Sequence, residues 1–229
     1  MSNSSLISYT RISPNSNPRN KKISKITIHH MAGNLSIESC GEIFASPERQ
    51  GSSNYGIGTD GRIAMYVEEK NRAWTSSNAT NDHMAVTIEV ANDIYGGNWH
   101  VSDKALNSLI DLCTDICKRN GIEKLNFTGD KNGNLTMHKY FAATTCPGAY
   151  LESKFPYIAD EVNKRLEHKE DPKMKFKDVP ETHWAYKAIE ELAEKGILNG
   201  YTDGTFKPDE PVTRAEIATI LDRYINSKN

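Results

Sequence analysis

The stretch KITIHHMAGN, from Lys25 to Asn34, ends a run of β-branched residues in two successive histidines. Successive side chains of a strand point to opposite faces of its sheet, so only one of His29 and His30 can look into a given site. Further along, His138 and Cys146 stand with seven residues between them in HKYFAATTCPG. Imidazole and thiolate both suit zinc, and a catalytic zinc site needs three protein ligands with a fourth position open to water. A strand-end histidine joined to this H-x7-C loop could hold such an ion, although seven histidines and four cysteines also produce that spacing by chance. Glu89, between Ile88 and Val90 in TIEVAN, is a third candidate. Burying a carboxylate in an apolar strand is costly or forces its protonation, and a general base beside a metal-activated water would account for it.

These residues need elements to position them. SKITIHHM reads as a strand, SIESCGEIFASPE as a helix capped by Ser36, and SNYGIGTDGRIAMYVEE as a hairpin turning at Thr59, Asp60 and Gly61. HMAVTIEVAN, apolar on both faces, predicts a central strand. A long helix is expected from Ser102 to Arg119, stopped by Gly121, then a long loop over NFTGDKNGNLTMHKYFAATTCPG and a closing helix over YLESKFPYIADEVNKRLEH. Strands alternating with helices predict an α/β domain, a mixed central sheet flanked by helices, over residues 1–167. Gly56 and Gly58 read as points of close backbone approach rather than a phosphate cradle, since no helix starts after them. Asn54 is expected at the strand edge facing a groove, while Trp74, Trp99 and His100 either line that groove or anchor its loops. Cys113 and Cys117, four apart on the apolar side of the long helix, read as reduced core thiols, as does Cys40; Cys146 alone has a context for chemistry.

The 229 residues are 37% apolar and 25% charged with a formal charge of −2, a globular composition without the basic field that would gather nucleic acid. No stretch is long and apolar enough for a membrane span, and the polar leader MSNSSLISYTRISPNSNPRNKK has no signal-peptide pattern, so synthesis in the cytoplasm is expected. At LEHKEDPKMKFKDVP the composition turns to charge and proline, predicting a linker at 168–175 and a second unit at 176–229. There ETHWAYKAIEELAEKG predicts an amphipathic helix with Trp184, Ala185, Ile189 and Leu192 on its apolar side and Gly196 as its stop. VTRAEIATILDRYI predicts a second helix, opened by a capping box of Thr213 and Glu216. About fifty residues make a marginal fold, so this small all-α unit is expected to need a partner surface.

ITIHHMAGN, SSNYGIGTDGRIAMYVEE, VTIEVAN and HKYFAATTCPGAYL, in that order, resemble the zinc-dependent N-acetylmuramoyl-L-alanine amidases of the type 2 family, which share a fold with peptidoglycan recognition proteins. The resemblance covers the first three quarters of the chain. It implies that His29, His138 and Cys146 bind Zn2+, that His30 faces away in a supporting role, and that Glu89 is the general base. The implied reaction is hydrolysis of the amide between N-acetylmuramic acid and L-alanine in peptidoglycan. Many relatives carry a lysine two residues before the ligand cysteine; here Thr144 stands there, and a hydroxyl supplies only a neutral hydrogen bond to an oxyanion. A hairpin tyrosine of some relatives is replaced by Ser53.

The segment FKDVPETHWAYKAIEELAEKGILNGYTDGTFKPDEPVTRAEIATILDRYI resembles one S-layer homology module, through F-x-D-V, HWA, GYTDGTFKP and VTRAE. The resemblance implies binding to secondary cell-wall polysaccharide, with Arg214 as the anion-binding residue and Trp184 and Tyr201 meeting sugar or packing on the second helix; packing is expected for Trp184. Such modules usually come as three in tandem. A single copy implies either association of chains, as a trimer, or packing of the module on the amidase domain. Wall specificity without an export signal points to a phage or prophage endolysin acting on the Gram-positive cell wall after release. A host autolysin and a zinc-containing peptidoglycan receptor without activity are the alternatives.

Overall fold

The structure, a computed structural model, describes residues 2–167 and 176–226, so the linker expected at 168–175 lies outside the described residues. The chain divides into two compact units, Met1–Glu167 and His168–Asn229.

In the first unit the elements follow as β1 (Tyr9–Thr10), β2 (Ser16–Pro18), β3 (Lys25–His30), α1 (Ile37–Ala45), β4 (Tyr55–Ile57), β5 (Ile63–Met65), β6 (Asn71–Ala73), α2 (Ala79–Met84), β7 (Ala85–Val90), α3 (Asp103–Asn120), β8 (Leu135–Met137) and α4 (Ala149–Glu167). A mixed six-stranded sheet has the order β1-β5-β4-β7-β3-β8, and β2 pairs with β6 beside it. Alternation along the central strands sorts the two faces. Ile26, Ile28, Val86, Ile88, Leu135 and Met137 join the core under α3 and α4, where Leu109, Cys113, Ile116, Phe155 and Ile158 are buried. On the other face α1 lays Ile37, Cys40 and Phe44 against Ala64 and Tyr66. That face carries a polar row beneath the strand ends: Thr27 Oγ1 and Thr136 Oγ1 share a hydrogen bond at 2.9 Å, as do Thr75 Oγ1 and Thr87 Oγ1.

The helix signals are realised locally. Ser36 accepts from the Ser39 N–H at the start of α1, Ser102 from the Ala105 N–H at the start of α3, and Gly121 closes α3 in the left-handed conformation. Cys40, Cys113 and Cys117 are buried free thiols. The long loop expected after α3 needs correction. The region 126–148 is not all loop, because Leu135–Met137 adds a parallel edge strand to β3. Three residues are too short for an alternating pattern, and only the docked partner strand makes them β.

The second unit contains α5 (Tyr186–Glu194) and α6 (Arg214–Asn226). Its core is Phe176, Val179, Tyr186, Ile189 and Ala193, with Phe206 packed against it. Asp178 ties the connector to the first turn by accepting the N–H groups of Phe206 at 2.8 Å and Lys207 at 2.7 Å. The capping box forms: Glu216 accepts from the Thr213 N–H, and Thr213 Oγ1 from the Glu216 N–H. Trp184 departs from its expected packing. It lies before α5 rather than on its buried side and is 90% exposed. No residue of α6 is buried.

Candidate metal centre and cleft

Register delivers the candidate residues to one place. In the parallel pairing of β3 with β7, His29 lies opposite Glu89, and Ile28 lies opposite Met137, so His138 follows directly off the end of β8. Side chains in register across parallel strands share a face, and the carboxyl ends of such strands are where α/β sheets form sites. One donor atom from each of His29, His138 and Cys146 lies within 4.8 Å of the others, and the two imidazole centroids are 4.5 Å apart. Nε2 of both histidines is buried without a hydrogen-bond partner among the described residues, as is Oε2 of Glu89. Orphaned buried nitrogens beside a thiol form a donor set that fits zinc. Burial, with His138 and His30 nearby, holds the His29 pKa well below its ordinary value, and burial lowers that of His138. Both rings are therefore neutral and able to ligate at pH 7.

His29 Nδ1 is 3.9 Å from Glu89 Oε1, too far for a hydrogen bond. Burial pushes the Glu89 carboxyl up to about 8, opposed by the charge of Arg49. His30 faces the other way, with Nδ1 3.1 Å from Asn92 Oδ1 and its ring edge-on to Trp99. Asn92 in turn donates to the Trp99 carbonyl at 2.8 Å. The His30 backbone N–H donates to Cys146 Sγ at 3.4 Å, a contact that aims the sulfur and favours its thiolate. Neither Asn92 nor this backbone donor was singled out in the sequence, although Asn92 closes the TIEVAN motif.

The other expected residues divide. Thr144 is exposed and accepts the Cys146 N–H at 3.2 Å, which leaves its hydroxyl hydrogen free to donate. Asn54 does not face the groove. It is fully buried, accepting the Thr87 N–H and donating to the Val67 carbonyl, and so braces the hairpin against β7. Ser53 is likewise buried and donates to the Tyr55 carbonyl. Trp74 lines a cleft of about 450 Å³ together with His29, Glu89, His138, Arg49 and Arg72. Trp99 instead packs on His30, and His100 pairs with Asp93 at 2.7 Å. In the second unit Tyr201 lines a groove of about 610 Å³ with Phe206, Lys207, Ala215, Thr219 and Arg223. Arg214 and Trp184 are exposed outside that lining.

A mixed sheet whose parallel strand ends carry this donor set and a buried carboxylate has the type 2 amidase fold. The solved structures of PlyL and AmpD share it. PlyL is 17% identical with a TM-score of 0.55, over 68% of this chain and 96% of PlyL; AmpD, as a selenomethionine derivative, is 18% identical with a TM-score of 0.53, over 68% and 96%. Residues 19–149, more than half of the chain, match the N-acetylmuramoyl-L-alanine amidase family, and the chain belongs to that family. Residues 175–218 match the S-layer homology domain. The chain is 46% identical across 50 residues to the cellulosome-anchoring protein of Acetivibrio thermocellus, a stretch that is 22% of this chain and only 11% of the relative. Among the described residues no helix is long and apolar enough to cross a membrane.

Proposed function

We propose that this protein is a peptidoglycan hydrolase that cuts the amide between N-acetylmuramic acid and L-alanine, with a zinc ion held by His29, His138 and Cys146. The observation that supports this reading is the convergence of those three donors beside Glu89 at the open ends of β3, β7 and β8. A zinc ion bound there supplies Lewis acidity, which polarises the amide carbonyl and activates water at neutral pH. Glu89, in its ionised form and made more basic by burial, takes a proton from the attacking water and returns it to the leaving nitrogen. Thr144 donates its free hydroxyl hydrogen to the developing oxyanion, a weaker contribution than a lysine at that place would make. His30, Asn92 and Trp99 keep the Cys146 sulfur aimed.

The second unit holds the enzyme on the wall by binding secondary cell-wall polysaccharide through Arg214, Trp184 and Tyr201, and chains associate through it as trimers. Exposure of Trp184 and Arg214 fits contact with a polymer rather than with the core. The pairing of an amidase with a wall-binding module fits a phage or prophage endolysin acting on a Gram-positive wall.

The test is digestion of purified Gram-positive walls by native, metal-stripped and Glu89→Ala protein. New alanine amino groups that need both metal and Glu89, without new reducing ends, are expected; removal of the base is expected to cost about 10²–10⁴-fold in rate. Wall binding without cleavage by the zinc-loaded native protein would instead identify a receptor.

A further inference from the structure

The cleft that opens from Glu89 contains a cation without a hydrogen-bond or ion-pair partner among the described residues. Four charged side chains other than histidines line it: Arg49, Arg72, Asp82 and Glu89. Asp82 is committed, its oxygens accepting from the Ser76 hydroxyl at 2.5 Å and from the Thr75 and Ser76 N–H groups. Arg72 donates through Nε to Asn17 Oδ1 at 2.9 Å and lies over the Trp74 ring, whose Nε1 uses the same oxygen at 2.7 Å. Arg49 differs. Its side chain is exposed, and among the described residues its guanidinium makes no hydrogen bond or ion pair. The backbone beneath it is braced. Its N–H reaches the Ser46 carbonyl at 3.2 Å, Gln50 closes the turn in the left-handed conformation, and buried Asn15 donates to the Ser46 carbonyl at 2.8 Å and the Gly51 carbonyl at 3.4 Å.

An unpaired guanidinium on a braced backbone, lining a cleft that also holds Asp82 and Glu89, offers an incoming anion an opposite charge. Resting on the reading of the site as a peptidoglycan amidase, we propose that Arg49 is a specificity residue that binds a free carboxylate on the stem peptide, in the cleft that Arg72 and Trp74 also line. A planar guanidinium meets a carboxylate through two parallel hydrogen bonds and gains much less from a carboxamide. The enzyme therefore discriminates between stems that carry this carboxylate free and stems in which it is amidated or absent.

The experiment uses the zinc-loaded full chain and soluble N-acetylmuramoyl peptides in matched pairs. One pair carries either a free carboxylate or a carboxamide on the residue after L-alanine. The other has a third residue with or without a side-chain carboxylate. The native protein is expected to favour the carboxylate member of one pair by about tenfold in kcat/KM, expressed in KM, as one charge-assisted interaction predicts. Whichever pair shows the preference identifies the carboxylate that is bound. Arg49→Gln is expected to reduce the preference to within about twofold, the loss of its charge near Glu89 acting alike on both members of a pair, and Arg49→Lys to keep part of it. An equal loss on both members of each pair, or a preference untouched by Arg49→Gln, overturns the proposal. Should the native protein cleave none of these peptides, the amidase reading fails. Calorimetric binding of the same pairs to native and Arg49→Gln protein then decides the role of Arg49 separately.

Discussion

At the scale of single residues, Cys146 couples the site to pH. Burial and the charge of Glu89 push its thiol well above the ordinary value, and the His30 N–H offsets this only in part. A thiol must lose its proton to ligate, whereas His29 and His138, with lowered pKa values, are already neutral above their ordinary titration range. Binding of zinc therefore releases one proton, from Cys146, and zinc affinity is expected to rise about tenfold per pH unit between about pH 6.5 and 8. Competition with a chelator across that range measures the slope, and calorimetry in buffers of different ionisation enthalpy counts the proton. Cys146→Ser should lose both the slope and most of the affinity. The sequence showed that His29 and His30 must face opposite ways, and the structure agrees. It misled at Asn54, because a polar residue beside a strand reads as groove-facing until Thr87 and Val67 are seen to enclose it.

At the scale of elements, the close approach of Gly56 holds β4, β5 and α1 in order. A Cβ there would come within 2.5 Å of the Tyr66 ring, which is fully buried and anchored by its hydroxyl to the Ile37 carbonyl at 2.7 Å, so it cannot swing away. Gly56→Ala is expected to destabilise the first unit by about 1–3 kcal/mol, read as a lower denaturation midpoint with an unchanged slope. Gly33→Ala, with nothing within 4 Å, should be close to neutral. Pairing Gly56→Ala with Tyr66→Leu should recover part of the loss, since the two side chains compete for one volume. Helix starts and stops were legible because caps act within a turn of their own residue, as at Ser36, Ser102 and Gly121. The strand β8 was not, because three residues acquire β structure only by docking on β3.

At the scale of the whole molecule, α6 is the unfinished part. Ile217, Leu221, Tyr224 and Ile225 lie four, three and one residues apart, on one side of the helix, and are 45, 54, 43 and 63% exposed. Such a stripe on a small module supports the proposed association of chains. A trimer is expected by light scattering behind a sizing column, and Ile217→Ser with Leu221→Ser should give a monomer. That monomer should retain cleavage of soluble muramoyl peptides yet bind walls more weakly by about 10²-fold or more, as loss of multivalency predicts. A native monomer across the working concentration range would overturn the association.

The sequence alone determined the local features of this protein. It marked where helices begin and end, which turn needs Gly61, which thiols lie on an apolar side and which motifs carry candidate ligands, since each depends on residues within a few positions of one another. Tertiary structure alone decided that His29, Glu89 and His138 stand side by side, that Arg49 faces their cleft unpaired, and that Trp184 and α6 remain uncovered. Those facts depend on the register between strands more than forty residues apart and on the faces that packing encloses. Local propensity does not encode either, because the hydrogen bonds and buried contacts that select them form only when distant segments meet.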